Sequence, residues 1–130
     1  TGTFEYEKGD KRAVPDFNVF FRHNATYPYY SDAIWYLTQM RRWGQIEQDQ
    51  SDEWYKEVAA KVYRPDIYAK AAQSLIDDKL IPASAFPDFS KETGFKAPQT
   101  HFIDNLTYDG TQPNAYINSF AIGLKQGDKL

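Results

Sequence analysis

The chain has 130 residues, 15 basic against 18 acidic side chains, a formal net charge of -3 and no cysteine. That length suits a single domain with a real core but not two full lobes, and the lack of a basic excess argues against nucleic acid as the main partner. Disulfides and thiolate metal sites are excluded, and no window reaches the apolar length of a membrane span, which leaves any membrane association peripheral at most.

A mean hydropathy of -0.70 beside 17% aromatic residues describes a polar surface over a core built from Tyr, Phe and Trp. An opening Thr1-Gly2-Thr3 without Met is what a processed or truncated product would show. Residues Thr1 to Val14 read as an extended arm with a turn at Lys8-Gly9-Asp10, because Thr3, Glu5 and Glu7 alternate with Phe4 and Tyr6. This arm is a short strand or a flexible entry into the fold. Pro15-Asp16 starts a segment with Phe17, Val19, Phe20 and Phe21 in which periodicity decides nothing.

From Phe20 to Ile46 aromatics and arginines crowd around a helix start. Tyr27-Pro28 is held out of the helical basin, Ser31 or Asp32 is expected to cap the helix, and Gly44 to end it in a left-handed conformation. Within Asp32 to Trp43, the residues Ala33, Tyr36, Leu37, Met40 and Trp43 form one apolar stripe predicted to face the core. Ser51 caps a second predicted helix reaching about Tyr63, with Trp54, Val58 and Val62 on one face. Arg64-Pro65-Asp66 breaks it and restarts a third, with Ile67, Ala71 and Leu75 inward. Leu80 to Gln99, with Pro82, Pro87, Gly94 and Pro98, reads as an irregular wrap pinned by Phe86, Phe89 and Phe95. His101 to Tyr108 reads as a short helix or strand. Asp109-Gly110 is a turn, Pro113-Asn114 opens a last short helix, and Lys125 to Leu130 is expected to fray. The organisation is thus one mainly α domain, 1–130, with a few short strands: an arm and turn over 1–30, three helices over 31–80, and an irregular segment with a terminal helix over 81–130.

Arg22, His23 and Tyr27 are the candidate ligand-binding residues, since imidazole and guanidinium both donate to an oxyanion. Against this, isolated His and Arg residues usually sit on surfaces. Tyr27, Tyr29, Tyr30 and Trp35 suit either a stacking platform or a core. Arg41 and Arg42 beside Trp43 read as an anion clamp or, preferably, as C-terminal capping groups. The adjacent pairs Asp52-Glu53 and Asp77-Asp78 diverge on their helices and read as solvated faces. His23 and His101 do not suggest zinc, and no phosphate loop or serine nucleophile elbow is present. No catalytic residue, metal site or cofactor is expected, and the chain does not read as an enzyme.

The ordered series Tyr27-Pro28, Ser31, Trp35 and Arg41-Arg42-Trp43-Gly44, followed by Val62 to Tyr68, Ile81-Pro82-Ala83-Ser84, Phe102-Ile103-Asp104, Tyr108-Asp109-Gly110 and Ile122-Gly123-Leu124, closely resembles the C-terminal part of the nitrate/bicarbonate-binding proteins of ABC importers. The resemblance covers nearly the whole chain. It implies the C-terminal segment of a two-lobed α/β periplasmic-binding-protein-like (type II) fold, whose lobes close on a small inorganic anion and deliver it to a permease and ATPase complex. The implied place is periplasmic, or membrane-associated on the outer side. The anion-contacting residues of that family lie mostly upstream, so none is carried onto this sequence. Two other readings remain open at this point. One is a binding-protein-like sensor domain, cytoplasmic, fused to a transporter ATPase subunit or pairing with a regulator; the other is an aromatic-rich interaction or carbohydrate-binding module.

Overall fold

In the computed structural model, residues 2–14 and 21–130 are described. The stretch read around Phe17, Val19 and Phe20 lies outside them. The arm closes on itself as an antiparallel hairpin of β1 (Thr3–Glu7) and β2 (Asp10–Ala13), with Phe4 opposite Arg12 and an irregularity between Glu5 and Glu7. Gly9, at φ +90°, makes the turn, and its N–H donates to the Glu5 carboxylate at 2.9 Å. Phe4 and Tyr6 meet edge to face, and the Arg12 guanidinium lies 4.8 Å over Tyr6. Both faces of this ribbon are exposed.

Helix α1 runs from Tyr30 to Arg42, starting ahead of the point the Ser31 or Asp32 cap implied. Its N-cap is Tyr29, with no capping side chain. The loop around Gly94 takes that role instead: Ser31 N–H donates to the Gly94 carbonyl, Ser31 Oγ accepts from Lys96 N–H at 3.2 Å, and Lys96 Nζ grips both Asp32 oxygens at 2.7 and 2.8 Å. Gly94 sits at φ +80° under the Tyr30 ring, where a Cβ would come within 2.4 Å of Tyr30 Cδ2. At the other end Gly44, at φ +78°, donates to the Arg41 carbonyl while Gln45 N–H reaches back to Met40 at 2.8 Å, a Schellman closure.

The buried face of α1 takes in only part of the apolar stripe, Ala33 in the core and Leu37 packed against it. Ser31, Ala33, Ile34, Thr38 and Arg41 are buried, whereas Tyr36, Met40 and Trp43 are exposed. Polar groups occupy the inner row because each finds a partner there: Thr38 Oγ1 donates to the Trp35 carbonyl at 2.6 Å, and Ser31 and Arg41 are fully engaged with loops. A satisfied polar group loses little on burial.

Helix α2 (Asp52–Val62) is capped by Ser51, whose Oγ accepts from Trp54 N–H. It buries Tyr55 and Ala59, not the Val62 row, with Trp54 and Val58 half-buried beside them. Helix α3 (Pro65–Asp77) likewise turns in Ala72 with Tyr68 and Leu75 beside it, leaving Ile67 and Ala71 exposed. Its start is fixed by Pro65 at the first turn and by a bidentate Arg64–Asp66 pair, which holds the Asp66 carboxyl down to about 2 through the Arg64 hydrogen bond. A short 3-10 turn (Ala83–Ala85) leads into the irregular segment, and α4 (Pro113–Ser119) follows. Between them, Gln99 and Tyr108 exchange two backbone hydrogen bonds at 2.8 Å, so His101 to Tyr108 is a looped excursion from one bridge, neither helix nor strand.

Helix α1 packs against α2 and α4, which also touch each other. Their shared core is Ala33, Ile34, Tyr55, Ala59 and Ile117. A second cluster joins Tyr108, Tyr116 and Phe120 to Trp35 and Phe102. A third is made of rings alone, with Tyr27, Tyr68, Phe86 and Phe89 in contact between 5.4 and 6.3 Å, so the irregular segment docks α3 through the phenylalanines that were expected to pin it.

Tyr55 is fully buried and its hydroxyl has no protein partner among the described residues. Burial pushes this phenol up to about 12, against the opposing charge of Arg41. An orphaned hydroxyl costs desolvation that its ring does not. Tyr55→Phe is therefore expected to raise unfolding stability by about 1 kcal/mol in urea titration; a loss of similar size would mean that the hydroxyl is satisfied in solution.

Candidate functional site

The three residues singled out for ligand contact do not converge. Arg22, His23 and Asn24 form a 3-10 turn in which His23 and Asn24 adopt left-handed conformations, and Arg22 and His23 are exposed. Tyr27 instead turns its ring inward, 6% exposed, against Tyr29 at 4.6 Å and Tyr68 at 5.4 Å. Burial raises its pKa, with Glu92 adding to the effect. Tyr29 is also buried, and Tyr30 and Trp35 are half-buried, Tyr30 against Phe95 and Trp35 against Phe102 with its Nε1 donating to Tyr116. Tyr27, Tyr29, Tyr30 and Trp35 thus form no exposed row, which removes the surface on which the carbohydrate-binding reading rested.

The strongest convergence of polar groups is around Arg41, whose side chain is 1% exposed. Its Nη1 donates to the Ile46 and Glu47 carbonyls at 3.2 and 2.8 Å. Its Nη2 donates to Asp49 Oδ1 at 2.7 Å and to the Lys125 and Asp128 carbonyls at 3.0 and 2.9 Å. The guanidinium thus joins the end of α1, the following loop and the last residues of the chain. These contacts also correct the expectation that Lys125 to Leu130 frays. The tail is tied further by Gly127 N–H to Asp49 and by Gln126 N–H to Asn118. Arg42 lies 3.9 Å over Phe120 and 4.6 Å over Trp43, and its Nε donates to the Ile122 carbonyl, while Leu124 N–H returns to the Arg42 carbonyl. An anion clamp needs donors aimed at open space; the Nη groups of Arg41 and the Nε of Arg42 are spent on acceptors of the protein instead.

The remaining polar pairs do the same work. Asp52, read as solvated, accepts from both the backbone and the side chain of Asn114 at 3.0 and 2.8 Å, fastening the start of α4 to the start of α2. Tyr108 donates to the Ser31 carbonyl from a buried position, and its pKa is raised by burial first and by the Asp32 charge second. Sequence reasoning missed Asp49, Asn114, Lys96 and Tyr108 because they act across 8 to 78 positions of chain; no local pattern announces such a partner.

Two open grooves flank this framework. The larger, about 370 Å³, is lined by Glu47, Asp49, Asp128 and Lys129 along with Gln48, Gly127 and Leu130, and its carboxylates repel an anion. The other, about 230 Å³, is bounded by Trp35, Tyr36, Phe102, Tyr108, Gln99 and Asp32, whose charge Lys96 already neutralises. Neither offers the set of free donors that a small oxyanion requires. No group of His, Asp and Glu among the described residues is placed to hold a metal ion.

No protein-family model matches the chain. Individual proteins do. The nitrate/nitrite binding protein NrtA of Nostoc sp. is 32% identical over 125 residues, covering 93% of this chain. The crystal structure of the periplasmic nitrate-binding protein NrtA from Synechocystis superposes with a TM-score of 0.72 at 30% identity, again over 93% of this chain. The chain belongs to the nitrate/bicarbonate-binding protein family. The bicarbonate-binding protein CmpA of Synechococcus elongatus, 30% identical over 102 residues and covering 78% of this chain, lies in the same family. The nitrate import ATP-binding protein NrtC of Synechocystis is 29% identical over 121 residues, covering 91% of this chain. The match takes in only 25% of the Nostoc NrtA and 29% of the solved NrtA chain, so this chain spans about a quarter of the length of those relatives. The resemblance read from Tyr27 to Gly44 and onward is therefore borne out at the level of family and fold.

Proposed function

We propose that the chain is the C-terminal module of an ABC-importer solute-binding protein for a small inorganic anion, nitrate, nitrite or bicarbonate, and that it supports the ligand-binding lobes without contacting the ligand. The observation that carries this reading is the combination of similarity, over most of this chain, to nitrate- and bicarbonate-binding proteins with a buried Arg41 whose Nη donors are spent on protein acceptors. Such a module works by rigidity. It holds a lobe in shape, has no catalytic role, and acts in the periplasm or on the outer side of the membrane beside the permease and ATPase complex. Among the described residues no helix is long and apolar enough to cross a membrane.

A chimera tests the reading. Replacing the matched quarter of Synechocystis NrtA with this chain is expected to leave nitrate affinity within about threefold, a change of under 1 kcal/mol. A folded chimera with nitrate affinity lowered a hundredfold would contradict a purely supporting role.

The match to NrtC favours a second reading, a sensor domain joined to an ATP-binding subunit. A phosphate-binding glycine loop in the flanking sequence would select it over the first.

A further inference from the structure

The groove of about 230 Å³ beside the first turns of α1 has four aromatic walls, Trp35, Tyr36, Phe102 and Tyr108, completed by Asp32 and Gln99. The rings are set as a box. Trp35 and Phe102 lie parallel within 4° at 6.4 Å, Tyr36 stands at 77° to Trp35, and Tyr108 stands at 85° to Phe102. Two of them come from α1 and two from the excursion that the Gln99–Tyr108 bridge closes, so the fold itself brings the four together. The polar ends of Trp35 and Tyr108 are spent elsewhere, on the Tyr116 hydroxyl and the Ser31 carbonyl, which leaves these two side chains only their π-systems to offer a ligand.

We propose that this box is a binding site for a small, dissolved quaternary ammonium compound. Aromatic faces carry negative potential and attract a cation, most strongly once it has shed its water. Among the described residues lining the groove the one formal charge is also negative, since Asp32 belongs to the wall whereas Lys96, its partner, does not. An anion would meet ring faces and a carboxylate there. Among cations the methylated kind fits best. Both Asp32 oxygens already accept from Lys96, at 2.7 and 2.8 Å, so a metal ion or a protonated amine entering the box would exchange its water for little more than ring faces. A trimethylammonium head has no N–H to satisfy, and its methyl groups gain apolar burial against the same rings. The volume is below the roughly 300–1,000 Å³ of drug-sized sites, which limits the occupant to a compact head with a short tail. This site is separate from the supporting role above, and neither depends on the other.

Titration of the chain with choline, read on the indole N–H resonances in NMR, tests the site. Of the three tryptophans, Trp43 and Trp54 lie outside the groove and serve as internal controls. The expected result is a saturable shift of the Trp35 resonance with an affinity of about 1–10 mM, and no comparable shift at the other two. A neutral analogue of choline with carbon in place of the ammonium nitrogen is expected to bind about fivefold more weakly. Tyr36→Leu alters a ring that is 59% exposed, so the chain keeps its fold and its unfolding midpoint while choline binding weakens; the expected loss is about fivefold. The chain is also expected to stay in the supernatant with phosphatidylcholine vesicles, which separates a dissolved ligand from a lipid headgroup. The absence of a saturable Trp35 shift by about 50 mM choline would overturn the proposal. Equal affinities for choline and its neutral analogue, or indifference to Tyr36→Leu, would overturn it as well. Co-sedimentation with the vesicles that choline reverses would overturn the dissolved ligand in favour of a headgroup. None of these results bears on the nitrate affinity of the NrtA chimera, which alone decides the supporting role.

Discussion

Replacing Arg41 with Met is expected to lower unfolding stability by about 3 kcal/mol, at the lower end of what removing one partner of a buried charged network costs. The ion pair itself is a minor part, because Asp49 is 37% exposed on its side chain and solvent screens it. Most of the loss comes from the Ile46, Glu47, Lys125 and Asp128 carbonyls, which would lose their donor in a site too enclosed for water to replace it freely. The methionine fills the volume but donates nothing. Stability falls by a sizeable fraction of the roughly 5–15 kcal/mol typical of a domain. Urea titration reads the global effect, and hydrogen exchange reads the local one: amides of Leu124, Gln126 and Gly127 should lose protection before the helices do. Arg41→Lys should restore part of the stability, since an ammonium keeps the charge but lacks the planar fork that serves five acceptors. A change below about 0.5 kcal/mol, with the tail still protected, would show that the hub is dispensable.

Ile117→Ala should cost about as much or slightly more, about 3–4 kcal/mol. Ile117 is fully buried where α1, α2 and α4 meet, against Ile34, Tyr55 and Ala59. Truncation leaves a cavity walled by a tyrosine and by helix backbone, neither of which can collapse far. The seven residues of α4 are too few to stay helical without packing, so the loss extends beyond the missing methyls. Ile117→Val, which keeps the branched shape, should cost about 1 kcal/mol. The pair separates packing from helix propensity: equal losses for Val and Ala would contradict the packing account, and so would a negligible loss for Ala.

Features written in a few adjacent residues were legible in the sequence. Gly44 ends α1 because only a left-handed residue closes the Met40 and Arg41 carbonyls, Ser51 begins α2 through its own oxygen, and Pro65 restarts the chain as α3. The choice of buried face was not legible. Apolar periodicity on α1 selected Tyr36, Met40 and Trp43, but the chain buries Ser31, Thr38 and Arg41 instead, since loops distant in sequence bring acceptors and donors to them. The same long-range satisfaction turned Asp52 into the anchor of α4 and held a tail that looked free. Hydrophobic patterning assumes that a polar side chain prefers water; it fails wherever the fold supplies a better partner. The candidate ligand residues were not brought together for a related reason. Arg22 and His23 look like an anion site when read side by side, yet a surface turn with two left-handed residues presents them outward and Tyr27 inward, so no cleft forms between them.

The central claim is that this segment braces a receptor without gripping the anion, and titration calorimetry of the isolated chain tests it most directly. With nitrate, nitrite and bicarbonate added in turn to about 10 mM, the account expects no saturable heat, an affinity weaker than about 1 mM and hence less than about 4 kcal/mol of binding free energy. A stoichiometric isotherm in the micromolar range for any of the three would contradict it.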